Sequence, residues 1–413
     1  MTLREEADMI IKESIDAVLP DTAVKNAVKE LPAYKGNLYL IAIGKAAWQM
    51  AHAAEDYLGD QIHSGIVITK YGHAKGALPH VACFEAGHPI PDGNGFAATK
   101  KAIDLVNNLS EDDLVLFLIS GGGSALFEWP LIESDELISV TDTLLSRGAN
   151  ITEMNTIRKR LSAVKGGRFA NICAPAKIFS IVLSDIVGDP LDMIASGPAY
   201  PDSSTVKDAL QVAKKYKLPL SDKALDCLKR ETTKTCPNVT THITGSVKLL
   251  CQEAANICGR LGYEPMILST SLSCEAKKAG VWISRIAISE AETRHPLAFI
   301  AGGETVVHLS GKGLGGRNQE IALTAAERIA GQKNIAIFSV GSDGTDGPTD
   351  AAGGYVDGDS FSRMENAGIR VKDALKNNDS FHALKACDGL IVTGPTGTNV
   401  NDLTVALVRC NME

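Results

Sequence analysis

LVLFLISGGGSALFEWP, residues 114–130, is the stretch on which the reading of this chain turns. The apolar run from Leu114 to Ile119 has the length of a buried strand rather than a helix, and it passes directly into Ser120-Gly121-Gly122-Gly123-Ser124. Successive glycines let the backbone adopt positive φ and approach a ligand closely. Their N–H groups and the two flanking hydroxyls offer donors to a phosphate or carboxylate. Taken alone, the loop reads equally well as a tight turn into the next element.

Recurrence favours the anion cradle. Residues 38–43 lead into Gly44-Lys45-Ala46-Ala47, and residues 178–183 into a loop carrying Asp185 and Asp189. Residues 297–300 lead into Ala301-Gly302-Gly303-Glu304, residues 335–340 into Gly341-Ser342-Asp343, and residues 390–392 into a loop ending at Asn399. In an open α/β sheet the ligand crevice lies outside the carboxyl ends of the strands. Lys45, Ser120 to Ser124, Asp185, Glu304, Asp343 and Asn399 are therefore expected to share one cleft. Lys45 alone reads equally as a solvated lysine near a helix start. Asp185 and Asp189 suit either a hard cation or a cap on the following segment. His73 and His88 are assigned structural or surface roles.

At 413 residues the chain is too long for one ordinary core, so two domains are expected, 1–240 and 241–413. Its composition, 45% hydrophobic and 22% charged, is that of a soluble globular protein. A net charge of −8, without an aromatic-interleaved basic patch, argues against nucleic acid as the partner. The nine scattered cysteines include no C-x-x-C pair and read as reduced thiols, which points to a cytoplasmic enzyme. Residues 1–19 have the spacing of an amphipathic helix rather than a signal peptide, and no apolar run is long enough to span a membrane.

Arg158, Lys159, Arg160, Lys165 and Arg168 crowd one stretch of an acidic protein. Such a run is ordinarily a solvated helix face. Asn155, Arg158 and Lys165 are exempted here as donors for an anionic substrate. Cations, backbone donors and carboxylates together suit phosphoryl transfer, in which positive groups offset charge on the moving phosphoryl and acids place a divalent cation. No Walker sequence, protein-kinase motif set or G-x-S-x-G elbow is present, and the loop 343–350 lacks EF-hand spacing. The letters G-x-G-x-x-G occur at Gly311 to Gly316, too late in the chain for a first-strand dinucleotide fingerprint.

IGKAA at 43–47, LISGGGSALFEWP at 118–130, MNTIRKRLSAVKGGR at 154–168, SDIVGDPLDMIASGP at 184–198, GGET at 302–305, GKGLGGRNQE at 311–320 and GSDGTDGPTDAAGG at 341–354 together closely resemble the class II glycerate kinases. The carboxyl-terminal part of that family is the MOFRL domain, here about 297–410, and the resemblance runs in order over nearly the whole chain. It implies an α/β fold: a Rossmann-like, doubly wound, mainly parallel sheet in the first domain, a second α/β domain, and an active site in the interdomain cleft. It also implies ATP-dependent phosphorylation of D-glycerate to 2-phosphoglycerate, with Mg²⁺ or another divalent cation. Phosphorylation at the 3-hydroxyl and a hydroxypyruvate reductase using NAD(P)H are the alternatives.

Carried over motif by motif, the resemblance makes Lys45 and Arg317 the catalytic cations. Joined to the strand-end reading, it gives glycerate to Ser120, Gly121, Gly122, Gly123, Ser124, Asn155 and Arg158. Gly302, Gly303, Glu304, Gly341, Asp343 and Asn399 are expected at the nucleotide, and Asp185 and Asp189 at the metal. A homodimer is compatible with this reading, and neither nucleic acid nor membrane is expected as a partner.

Overall fold

The computed structural model describes residues 1–184, 186, 188 and 190–410. The chain divides into two compact units, one holding Pro20–Ser184 and residues 190–244, the other holding Met1–Leu19 and the chain from Gly245.

The first unit is built on β1 (Leu38–Ile43), β2 (Ile62–Lys70), β3 (Val81–Ala86), β4 (Leu114–Ile119), β5 (Lys177–Leu183) and β6 (Val239–Gly245), in the order β3-β2-β1-β4-β5-β6. β1 pairs in parallel with β2 and β4, β2 with β3, and β4 with β5. Successive parallel strands need long crossovers, here the helix Ala47–Leu58 between the neighbours β1 and β2 and the helix Gly93–Val106 on the way from β3 to β4, which lies beyond β1. Every residue of β4 is buried, as a strand covered on both faces requires. The chain works outward from β1 to β3, then crosses back to lay β4 on the other side. That reversal opens a crevice at the carboxyl ends of β1 and β4. GKAA and SGGGS begin there, and the doubly wound expectation is met in this unit.

The second unit carries β7 (Glu264–Leu272), β8 (Leu297–Gly303), β9 (Ile335–Gly341), β10 (Gly353–Asp357), β11 (Leu390–Ile391) and β12 (Asp402–Val408), in the order β11-β10-β9-β12-β8-β7. β7 and β8 are parallel, but β12 runs antiparallel between β8 and β9. β12 has no counterpart among the strands expected from the sequence. Its DLTVALV is buried at every position and so offers no alternation to read. The consequence is local: the first residue of β12, Asp402, lies in register with Gly303 and Gly341, the last residues of β8 and β9.

Residues 1–19, read above with the first domain, pack in the second unit. The helix Leu3–Ala17 starts with a capping box between Thr2 and Glu5 and buries Ala7, Ile10, Ile11 and Ile15. Those side chains join Leu250, Ala254, Phe338 and Leu403 in one core. Glu6 fixes the arrangement: it accepts a hydrogen bond from the Tyr263 hydroxyl at 2.6 Å and pairs with Arg409 at 2.7 Å. All nine cysteines are free thiols, and no described helix is long and apolar enough to cross a membrane.

The cation run is not a solvated face. Lys159 and Arg160 are buried on the helix Ile151–Leu161, and Lys165 is buried just beyond it. Lys159 reaches Asp202 at 3.0 Å and Asp192 at 3.2 Å, and Arg160 donates to Ser204 Oγ at 2.7 Å. Lys165, exempted above as a substrate donor, instead pairs with Glu128 at 2.6 Å and donates to the Phe127 carbonyl at 2.9 Å. A charge run betrays its acidic partners poorly, because Glu128, Asp192 and Asp202 are distant in sequence. Burial pulls the Lys165 ammonium down to about 8, with Glu128 opposing the shift.

Both members of the Lys165–Glu128 pair are fully buried, so removing one leaves an uncompensated buried charge. Lys165→Met or Glu128→Leu alone is expected to cost about 3–5 kcal/mol in denaturant unfolding, and the double substitution to recover most of that loss. Single substitutions costing under about 1 kcal/mol would show that the pair is not holding this unit together.

Candidate active site

At the carboxyl ends of β1 and β4 the two strands are laced together. Ser120 N–H and Oγ–H both donate to the Ile43 carbonyl, at 3.0 and 3.2 Å, and Ser120 Oγ accepts from Ala46 N–H at 3.1 Å. Lys45 N–H donates to the Gly121 carbonyl at 2.8 Å. Thr69 Oγ1 donates to the Lys45 carbonyl at 3.2 Å, and His73 Nδ1 lies 3.0 Å from it. Gly44 has φ of 112°, and a Cβ there would fall 2.3 Å from Ser120 Oγ, so only glycine fits. Lys45 thus leaves a backbone that cannot rotate away from the SGGGS loop.

Gly122 takes the left-handed conformation, and a Cβ on it would meet His88 at 3.0 Å and Lys45 Cγ at 3.1 Å. Lys45, His88 and the loop therefore occupy one small volume. Burial, then the charges of Lys45 and Lys70, push the His88 imidazole below its ordinary value and keep it neutral near pH 7. Lys70 and His88 were not assigned to the site from sequence. The signal available for Lys70 was its place at the end of β2, next to β1.

Asn155 and Arg158 come to the same loop from the helix Ile151–Leu161. Arg158 donates to the Ser124 carbonyl at 2.9 Å. Ser196 Oγ donates to Asn155 Oδ1 at 2.9 Å and lies 3.0 Å from Ser124 Oγ. Ser196, missed in the sequence, is fully buried with φ of 60°. The Ser120 hydroxyl is committed to the strand ends and positions the loop. Ser124, Asn155 and Arg158 lie together at the loop.

At the end of the second sheet, Arg317 is the first residue of the helix Arg317–Ala326. Its Nε and Nη2 donate to the two oxygens of Asp402 at 2.6 and 3.0 Å, and its Nη1 donates to Glu304 at 2.9 Å. This two-point fork fixes the guanidinium plane. Burial opposes the charge on Arg317, but Asp402 and Glu304 outweigh it and hold the group above its ordinary value. Asp402 was missed because it opens a strand that was itself missed. Below it, Asp346 accepts the N–H groups of Asn318 and Gln319 at 3.1 and 2.9 Å, capping the helix that carries Arg317.

Other expectations are redistributed. Gly302, Gly303 and Gly341 are buried by the fold: a Cβ would meet Cys251 Sγ at 2.5 Å, the Leu272 carbonyl at 2.2 Å and the Thr345 carbonyl at 2.8 Å, respectively. Their first requirement is close packing. Asp343 Oδ1 accepts from Thr345 N–H at 2.9 Å, ordering its own turn. Asn399 is exposed in the loop before β12. Asp185 and Asp189 lie outside the described residues. Among the described residues no group of three or more His, Cys, Asp or Glu side chains could hold a metal ion.

Comparison with known proteins agrees along the whole chain. A domain described as a domain of unknown function, DUF4147, matches residues 6–229, and the MOFRL family matches residues 297–402. The D-glycerate 2-kinase of Thermotoga maritima is 48% identical over 98% of this chain and 99% of that protein. A crystal structure of glycerate kinase from the same organism superposes with a TM-score of 0.94, covering 98% of this chain and 99% of that one. The glycerate 2-kinase of Pyrococcus horikoshii is 42% identical over 99% of this chain and 98% of that protein. A relative from Agrobacterium vitis, 38% identical over 90% of this chain and all of that one, carries a hydroxypyruvate reductase name.

Burial pushes the Asp346 carboxyl up to about 6, against the amides of Gln319 and Asn318. The folded state then holds this proton more tightly than the unfolded chain, whose aspartates titrate near about 3.9. The stabilisation is complete below that value and lost as pH rises through about 6. Asp346→Asn is expected to flatten the fall in stability across this window, read as unfolding midpoint against pH. Parallel slopes for the two proteins would mean that Asp346 is already ionised at the acid end.

Proposed function

The chain belongs to the glycerate 2-kinase (MOFRL) family, and on that premise we propose that it transfers the γ-phosphoryl group of ATP to D-glycerate, giving 2-phospho-D-glycerate and ADP. The observation that carries this reading is the grouping of Lys45 with Ser124, Asn155 and Arg158 at the strand-order reversal of the first sheet. That is where an open α/β sheet accepts a small anionic ligand.

In this proposal the glycerate carboxylate and hydroxyls are received by the SGGGS loop, with Asn155 and Arg158 fixing which hydroxyl faces the phosphate. The hydroxyl oxygen forms the new P–O bond while the bond to the ADP oxygen breaks and that oxygen takes up the negative charge. Lys45 and Arg317 offset the charge spread over the phosphoryl oxygens. The hydroxyl proton leaves to a base, for which the neutral imidazole of His88 beside Lys45 is suited. Asp402 contributes by keeping Arg317 oriented before substrate arrives.

A divalent cation would supply further neutralisation between the nucleotide phosphates. The described carboxylates do not form a dedicated cage for it: Glu304 is taken by Arg317, and Asp343 by its own turn. No step above is therefore routed through the ion. The reductase alternative wants a dinucleotide loop, and the G-x-G-x-x-G letters at 311–316 do not form one. Those glycines pack against residues 377–380 and Asp346.

Incubation with ATP, Mg²⁺ and D-glycerate, followed by phosphorus NMR, is expected to yield 2-phosphoglycerate. With hydroxypyruvate and NADH alone, the absorbance is expected to hold constant. Accumulation of 3-phosphoglycerate, or NADH oxidation without ATP, would overturn the reading. Lys45→Ala and Arg317→Ala are each expected to lower kcat by on the order of 10³ with the fold intact by circular dichroism. Near-normal turnover by either variant would remove that residue from the reaction.

A further inference from the structure

Residues 308–316, HLSGKGLGG, lead up to Arg317 without forming any helix or strand of their own. Such a segment ordinarily holds its end loosely, yet Arg317 must meet Asp402 through two bonds. Its backbone groups find their partners on a distant stretch, Asn377 to Phe381. Asn378 Oδ1 accepts from Ser310 N–H at 2.7 Å and Gly311 N–H at 2.9 Å. Asn378 Nδ2 donates to the His308 carbonyl and to Glu320 Oε2, both at 3.2 Å. Asn377 Oδ1 accepts from Lys312 N–H at 3.1 Å, and Asp379 Oδ1 from Leu314 N–H at 3.1 Å. Gly313 N–H donates to the Asn377 carbonyl at 2.8 Å, and Phe381 N–H to the Leu314 carbonyl at 2.9 Å.

The glycines of the loop answer to the same contact. A Cβ at Gly311 would fall 2.3 Å from the Asn377 carbonyl, one at Gly313 2.4 Å from Asp379 Cβ, and one at Gly315 2.1 Å from Ser380 Oγ. The loop and residues 377–380 are thus in contact without room for a methyl group. Asn378 is 5% exposed and adopts φ of 55°, a conformation that asparagine tolerates better than most residues. One side chain therefore ties both the loop before Arg317 and, through Glu320, the helix that Arg317 begins.

We infer that Asn378, flanked by Asn377 and Asp379, is a positioning residue for Arg317: it clamps residues 308–316 so that the guanidinium is held in its working orientation. Asn378 acts through the loop and touches neither Arg317 nor any reacting group. The inference rests on the proposed phosphoryl transfer for its kinetic consequence and on geometry alone for its structural one. Misplacing a catalytic group by about 1 Å costs up to about 10²-fold in rate, so a loosened clamp should appear in kcat.

Asn378→Gly removes the side chain while keeping the positive φ free of strain. The full-length variant is expected to lose between about ten-fold and 10²-fold in kcat for ATP and D-glycerate with the glycerate KM within about two-fold. Hydrogen exchange at the amides of Ser310, Gly311 and Lys312 should accelerate, while amides of β8, β9 and β12 stay protected. Asn378→Asp keeps the acceptor for Ser310 and Gly311 but sets a carboxylate oxygen against the His308 carbonyl and Glu320, and is expected to lower kcat and accelerate exchange relative to the wild type. Unchanged exchange at those three amides, or kcat within about two-fold of wild type in Asn378→Gly, would overturn the clamp. If the wild-type chain shows no kinase activity the proposed function fails, and hydrogen exchange still decides the clamp.

Discussion

A carboxylate at the junction of three strands needs a counter-charge, and Asp402 is in that position. It begins β12 between the last residues of β8 and β9, with 4% of its surface exposed. An unpaired charge so placed would cost several kcal/mol. Arg317 supplies the partner, and the geometry of that fork constrains what surrounds it. Gly303 and Gly341 flank Asp402 in register, and the helix carrying Arg317 must start close above the sheet. Asp346 must cap that helix where the guanidinium does not interfere. The site in this unit follows from satisfying one buried acid.

The first unit reaches a comparable end by other means. There the strand ends are joined by backbone and hydroxyl bonds across β1 and β4, and Lys45 leaves that weave without a carboxylate counter-ion in the described contacts. The two principal cations are thus held differently. One is fixed by an acid and so is oriented as a plane. The other is fixed by its backbone, and its long side chain keeps freedom to follow a ligand.

What could be read from the sequence follows from range. β4 and the loop after it were legible because the apolar run, the glycines and the hydroxyls are contiguous, and Arg317 was legible through a motif. Asp402, Ser196 and Asn378 were not, because each acts through partners far away in the chain: Asp402 on Arg317, Ser196 on Ser124, Asn378 on Ser310. The basic stretch 158–168 misled for the same reason, since a buried lysine and a solvated one look alike until Glu128 and Asp202 are brought beside them. Gly311 to Gly316 carry the letters of a dinucleotide fingerprint, which their late place in the chain already discounts, and in the structure those residues serve close packing.

The helix Leu3–Ala17 fills a place in a core otherwise made of residues beyond 245. During synthesis it leaves the ribosome well before its neighbours beyond 245 are made. Its apolar stripe of Ala7, Ile10, Ile11 and Ile15 therefore has to wait in solution, or under a chaperone, while the whole first unit is produced and folds. A gene divided near position 240 would put that stripe on one fragment and its bed on the other, so the carboxyl-terminal half made by itself would carry an open apolar trench.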